Sequence, residues 1–495
     1  MKWPILVAVA LLLVSCFSPA FQSDDAWSHL KTGQYIVENH KLPVPDPFAF
    51  TTYIGRPAYP GEDTARVFKL THHWLAQALL YLAYAAGGFP LVVMLRALLM
   101  AAACGLTGLV AFRRSGSFYA AVGATLLSGA IAYRFATDQP LMATFLFVPA
   151  VLALVEYRRW LWALPLLFAV WANCDGAFFL GWVVLGAYCV ESLVSRKAGR
   201  ILWIVTGISV LASGLNPNGF HAMALDRPLA PLIALCLAVA GPILIAAFLP
   251  WKLKQLPARW ELAVIALILA AIALPVWQKR ALQFYASEST RPLGAVRFLL
   301  AHHVSGPLFN TYDQGGYLTW YLWPQLRVFV DGRGLNETVF QDYRRIAYSI
   351  APPGLKNVFQ LLDQYGVQTI LITGYDYSSG IPHFLIAMLA DPQQTQWKLV
   401  FQDAKGMVFM RQPPPGVRAL PNIAALTSME AQCAAHIALV PGQPLCARET
   451  CKMYEHLGNF NRARTWLAYY LEHKKEPDPG AETEYQRLSR TGSSH

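Results

Sequence analysis

PLVVMLRALLMAAACGLTGLVAFRRS, residues 90–115, decides the fold class. At about 1.5 Å per residue, the apolar run 90–112 is long enough to cross a hydrocarbon layer of roughly 30 Å. It ends on Arg113-Arg114, the mark of a span whose last turn stays in the cytoplasm. Further apolar stretches lie on either side, at 4–20, 117–135, 140–156, 160–173, 177–194, 201–214, 229–250 and 260–277. The whole composition agrees. The chain is 55% hydrophobic and 14% charged, against about 25% charged residues in soluble domains. Disorder and an ordinary soluble enzyme are excluded. The formal charge of +11 sits largely in short clusters between apolar stretches, where membrane topology accounts for it. No nucleic-acid partner is expected.

Those clusters set the orientation. Arg113-Arg114, Arg158-Arg159, Arg196-Lys197-Arg200, and Lys252-Lys254 with Arg259 each follow an even-numbered span. With Lys2 inside, about nine spans place them all in the cytoplasm. The loops at 21–89, 136–139, 174–176 and 215–228 then face outward, as does everything after 278. The apolar stretch Trp74 to Gly87 is too short to cross and is read as lying on, or dipping into, the outer face. Leu13-Val14-Ser15-Cys16 matches a lipoprotein cleavage box, but a retained first helix is the preferred reading.

The outward loops are polar where Gly, Pro and Ser would suffice. The first holds Asp24, Asp25, His29, Lys69, His72 and His73; the second, Arg134 and Asp138; the third, Asn173 and Asp175; the fourth, Asn216 and Asn218. Ionisable groups near hydrocarbon depth are costly and tend to be functional or paired. Their gathering on one side points to an outward-opening cleft. The plainer alternative pairs Asp138 with Arg134 (i, i+4) and makes Asp175 a helix cap.

An active site on that face has no nucleotide supply, so an activated sugar would arrive on a lipid. Transfer needs a carboxylate to take the acceptor's hydroxyl proton, and positive charge or a divalent ion at the leaving phosphate. Asp25 is the expected base, with Asp24 as substitute and Asp138 as the partner carboxylate. Lys69, His72, His73 and Arg134 are the expected phosphate clamp, with at most one of the adjacent histidines in direct contact. His29, four residues after Asp25, shares its helical face. No run has strong metal-site spacing, so the cofactor expectation is none, or Mg or Mn.

Residues 24–52, DDAWSHLKTGQYIVENHKLPVPDPFAFTT, and 71–88, THHWLAQALLYLAYAAGG, resemble the opening of bacterial membrane proteins of the GT-C glycosyltransferase superfamily. These are distantly similar to protein mannosyltransferases and lipid A aminoarabinose transferases. WANCDGAFFLG, LNPNGF and FNTYDQGGYLTWYLWPQLRVFVDGR extend the resemblance to about residue 411. It implies an acidic catalytic residue just after the first helix, where Asp25 stands, and a second at the next outer turn, where Asp138 stands. Asp175 occupies the place of the group's usual His.

The expected fold class is therefore a polytopic α-helical membrane protein, GT-C-like, with a small extracytoplasmic α/β domain and a short helical C-terminal segment. The expected parts are a membrane module, 1–277; a periplasmic α/β domain, 278–411; a Pro-rich linker, 412–422; a tetratricopeptide-like helical segment, 423–476; and a polar tail, 477–495. In the α/β part, 327–330 and 369–372 read as strands, 336–348 and 354–365 as helices, and 397–410 as a hairpin around Asp403-Ala404-Lys405-Gly406. Asp331 and Arg333, just past a strand, either bind a charged acceptor or pair with each other to fix the loop. One disulfide is expected among Cys433, Cys446 and Cys451, without a choice of pair.

The functional expectation is sugar transfer from a polyprenyl-phosphate donor to an envelope glycan, lipid or protein at the outer face of the cytoplasmic (inner) membrane. Its partners would be the lipid-linked sugar, membrane lipid and an envelope-biosynthesis protein. The alternative is a non-catalytic scaffold for envelope polysaccharide assembly. A transporter ranks last, because it would line a path with charges at mid-membrane.

Overall fold

The computed structural model describes residues 2–135, 137–195, 199–223, 229–248, 257–350, 354–377, 379–440, 442 and 444–491. Of the basic residues used for orientation, Arg196, Lys197, Lys252 and Lys254 lie outside the described residues. The chain is mostly helical, with one small sheet. It divides into two compact units, Met1–Val44 with Thr64–Ser287, and Pro45–Asp63 with Glu288–His495. The sequence expectation put all of 1–277 in one module. The structure instead gives the second unit a piece of the first outer loop, and begins its main part at residue 288.

The first unit is built from helices. They are α1 (Lys2–Cys16), α2 (Asp24–Asn39), most of α3 (Glu62–Thr71), α4 (Trp74–Ser115), α5 (Phe118–Ala132), α6 (Leu141–Tyr157), α7 (Leu164–Cys174), α8 (Phe179–Val194), α9 (Arg200–Ala212), α10 (Leu229–Phe248) and α11 (Ala258–Trp277). Local chemistry sets their ends. Asp24 and Asp25 fill the first turn of α2, where carboxylates meet the positive end of the helix dipole. α4 breaks at Gly87 and Gly88, the latter at φ +63°, so its first part stops where the sequence suggested a short surface helix. Left-handed Gly116 ends α4, and the Ser117 side chain caps α5 through Ala120 N–H. A parallel bridge, Phe21 to Ala286, ties the chain after α1 to the chain after α11.

Among the described residues, four helices are long and apolar enough to cross a membrane: Glu62–Ser115, Gly176–Val194, Ala230–Phe248 and Arg259–Trp277. Lys2–Cys16, Leu141–Tyr157, Leu161–Cys174 and Arg200–Ala212 are apolar but shorter. The sequence reading placed the first of these at 4–20, two residues longer, and the other three, 140–156, 160–173 and 201–214, within two residues of the helices found.

The second unit holds the sheet. β1 (Leu308–Asn310) pairs parallel with β2 (Thr369–Ile372), β2 antiparallel with β4 (Met407–Met410), and β4 antiparallel with β3 (Lys398–Gln402). Its helices are α12 (Leu293–Ala301), α13 (Gly315–Leu322), α14 (Glu337–Ala347), α15 (Val358–Gln364) and α16 (Leu385–Ala390), followed by α17 (Ala424–Leu439), α18 (Leu445–His456), α19 (Phe460–His473) and α20 (Pro479–Thr491). β2, the β3–β4 hairpin, α14 and α15 fall where the sequence placed them, and Asn357 with Gln360 forms a capping box for α15. Residues 327–330 are not a strand. Val328 makes only an isolated bridge with Ala49, from the loop segment 45–63. Residues 477–491 are not a loose tail either: α20 buries Ala481 and Leu488. The disulfide joins Cys433 of α17 to Cys446 of α18, leaving Cys451 a buried thiol.

Candidate functional site

In the first unit the outward-loop residues converge, although not in the roles expected of all of them. Asp25, half-buried in the first turn of α2, accepts a hydrogen bond from Gln139 Nε2 at 3.1 Å. One turn later, His29 Nδ1 lies 3.0 Å from Gln77 Nε2 of α4. The close packing of α2 on α4 enforces the pair. A Cβ on Gly33 would stand 2.0 Å from the Gln77 carbonyl oxygen, so only glycine fits there.

Asp138 sits in the turn before α6 and is 2% exposed. Its partner is Arg96 of α4, at 2.5 Å, and not Arg134, which is exposed. Arg96 also donates to the Phe17 carbonyl at 3.2 Å and to the Pro19 carbonyl, so one buried guanidinium ties the chain after α1 to this turn. Asp138 Oδ1 is buried with no hydrogen-bond partner among the described residues. Burial pushes the Asp138 carboxyl up to about 6, while Arg96 pulls the other way.

These groups line one cavity of about 220 Å³. His29, Gln77, Arg96, Asp138 and Gln139 interrupt a wall that is otherwise apolar, with Leu79, Leu80, Leu95, Leu99, Leu146 and Phe147. Such a cavity accepts a hydrocarbon chain and offers a carboxylate, an imidazole and amides to a polar end.

The remaining expected residues divide. His73 Nε2 approaches Asp175 Oδ1 at 3.4 Å, whereas the His72 ring turns back to the Phe68 carbonyl at 2.8 Å. Asp175, wholly buried, also accepts from Thr144 Oγ1 at 2.5 Å and caps the following turn through Ala177 N–H. Asn173 accepts from Trp74 Nε1 at 2.6 Å and donates to the Leu215 carbonyl, so it fastens α7 to its neighbours. The Asn216 amide is spent inside its own turn, on the Ser213 and Gly219 carbonyls. Asp24 and Lys69 are exposed. Neither Lys69 nor Arg134 lines the cavity, so the expected four-residue phosphate clamp is not assembled there.

Asp331 and Arg333 belong to the second unit and form an interior lock. Arg333 Nη2 meets Asp331 at 2.6 Å and Nη1 meets Asp46 at 2.8 Å, with both carboxylates buried. Of the two readings, the geometry matches the one in which the pair fixes its own loop, with Asp46 joining from far earlier in the chain.

For a metal, the described residues offer one group of three ligand types within reach of a point: Cys451, Glu455 and Glu484 in the second unit. Arg448 and Arg487 already neutralise those glutamates. The cavity carboxylates form no such group among the described residues, and no step below runs through an ion.

Arg96, Gln77 and Gln139 were not singled out in the sequence. Arg96 alone had a signal, as a lone charge inside an apolar run. No family model matches the chain, and no curated protein matches its sequence.

Proposed function

We propose that the chain is a multi-pass GT-C-like membrane enzyme that moves a sugar from a polyprenyl-phosphate donor to an envelope acceptor at the outer face of the cytoplasmic membrane. One observation carries the reading: an apolar-walled cavity interrupted by His29, Arg96 and Asp138, with Asp25 hydrogen-bonded to its lining residue Gln139. The wall suits an isoprenoid. Asp25 takes the proton of the acceptor hydroxyl as that oxygen bonds to the anomeric carbon. The sugar–phosphate C–O bond breaks, and its electron pair leaves with the lipid phosphate. The His29 ring, which lines the cavity, donates to that phosphate, and the Arg96–Asp138 pair holds the turn that carries Gln139. The disulfide in the second unit supports an oxidising, extracytoplasmic setting for α17 and α18. The nine-span topology, with shorter helices completing the bundle, belongs to this proposal.

The test is transfer of label from polyprenyl-phosphate sugars to envelope acceptors, with wild-type and Asp25→Asn protein in matched membranes. Transfer lost only in the variant is expected. No transfer by either, across several sugars and with correct insertion, would favour the scaffold reading. Two observations speak for that reading: Asp138 and Asp175 are both engaged in structural bonds, and the C-terminal helices present Leu445 and Phe460 to solvent. Under it, removing 423–495 destroys the phenotype and Asp25→Asn does not.

A further inference from the structure

A second polar cavity lies in the first unit, away from the residues described above. It measures about 500 Å³ and opens among the last turns of α4, α6 and α8 and the first turn of α9. One side of it is a hydrogen-bonded network. Arg114 Nη2 donates to Glu156 at 2.7 Å, and Tyr188 OH donates to the same carboxylate oxygen at 2.7 Å. Two more arginines line it from different loops. Arg158 ends α6 in a left-handed conformation (φ +50°), and Arg200 begins α9. Both are exposed, and neither has an ion-pair partner among the described residues. Glu191 is the remaining lining carboxylate. With Arg114 and Glu156 cancelling, two cations face one anion among the described lining residues.

The surroundings identify the ligand's other half. Trp160 and Trp162 flank the lining residue Leu161 and are 80% and 62% exposed; Trp203, one turn into α9, is 44% exposed. Exposed tryptophans beside apolar helix faces mark a membrane–water boundary. Arginine at that level offers paired N–H donors to a phosphate. We propose that this cavity binds the phosphate headgroup of an anionic phospholipid in the leaflet opposite the catalytic cavity. Arg158 and Arg200 close on the phosphate, and Leu161 and Ile201 meet the upper acyl chain.

The inference rests on the membrane reading and is independent of sugar transfer. The full-length protein would be reconstituted in bilayers of phosphatidylcholine with a minor share of phosphatidylglycerol. After mild detergent extraction, co-purifying lipid would be quantified by mass spectrometry. Wild-type protein should be enriched in phosphatidylglycerol. Arg158→Gln with Arg200→Gln should lose that enrichment by roughly fivefold per arginine removed, while Arg159→Gln, in the same loop but outside the cavity lining, should keep it. Arg158→Lys with Arg200→Lys keeps the charge and should retain most of the enrichment, which separates loss of binding from loss of fold. Equal enrichment in wild-type and Gln variants overturns the proposal. So does displacement of the lipid by millimolar inorganic phosphate, which would make the site one for a soluble anion. Wild-type protein that fails to enter bilayers removes the membrane reading and this inference with it. Normal entry without enrichment removes this inference alone.

Discussion

At the scale of single residues, the Arg96–Asp138 pair is the most exposed to disruption by mutation, because both partners are almost wholly buried. Arg96→Leu strands a buried carboxylate and should cost about 3–5 kcal/mol. Arg96→Leu combined with Asp138→Leu should recover most of that loss in thermal unfolding of the detergent-solubilised protein. If the double variant is no better than the single, the pair is not the source of the effect. His383 provides a pH-dependent counterpart in the second unit. Its Nδ1 lies 2.9 Å from the Thr373 carbonyl, and its Nε2 is buried with no hydrogen-bond partner among the described residues. Burial holds this imidazole below its usual pKa of 6.5, against the raising effect of Thr373 and Asp376. The unfolded chain therefore takes up a proton that the folded one refuses. Stability is full above about pH 6.5 and falls as pH drops below it. Protection factors across β2 and α16, with exchange rates corrected for their intrinsic pH dependence, should fall between about pH 7 and 5.5, and His383→Asn should flatten that response.

At the scale of elements, the α2–α4 contact decides whether His29 faces the cavity. Gly33→Ala forces a methyl against the Gln77 carbonyl and should cost about 1–3 kcal/mol as the helices part. Under the proposed function, sugar transfer should fall more than membrane insertion does; unchanged transfer would show that the His29–Gln77 pair is dispensable. The disulfide spans 13 positions, and opening it should lower the stability of α17 and α18 by about 3 kcal/mol. Peptide-level hydrogen exchange with and without reductant would show it. Much at this scale was legible beforehand. The β3–β4 hairpin, read from its Asp403–Gly406 turn, and α14, read as a helix at 336–348, both stand in the structure. The break at Gly87–Gly88 follows from the glycines themselves. Arg96 stood out only as a lone charge in an apolar run; what it does was not legible, because its partners at Phe17, Pro19 and Asp138 come from other parts of the chain. The Asp331–Arg333 pairing was one of the two readings left open, but its third member was not legible, since only the fold brings Asp46 to it.

At the scale of the whole molecule, the two units are not two consecutive stretches of sequence. Pro45–Asp63 belongs with Glu288–His495. Within that unit it supplies Asp46 to Arg333, Asn336 donates to the Ile54 carbonyl, and Glu62 accepts from Glu337 N–H. A fragment starting at residue 288 should therefore leave the Asp331–Arg333 loop short of a carboxylate. It should show fast hydrogen exchange over 328–340, and a synthetic 45–63 peptide added in trans should slow it. No change on adding the peptide would mean that the fragment closes on its own.

The same arrangement sets a timetable for biosynthesis. Asp46 and Arg333 are 287 positions apart. At roughly 5–20 residues per second, a ribosome needs about fifteen seconds to a minute to travel from one to the other. Through that interval the 45–63 segment has left the ribosome and waits for a partner that does not yet exist. A factor that shelters newly made chain would find a long-lived client here.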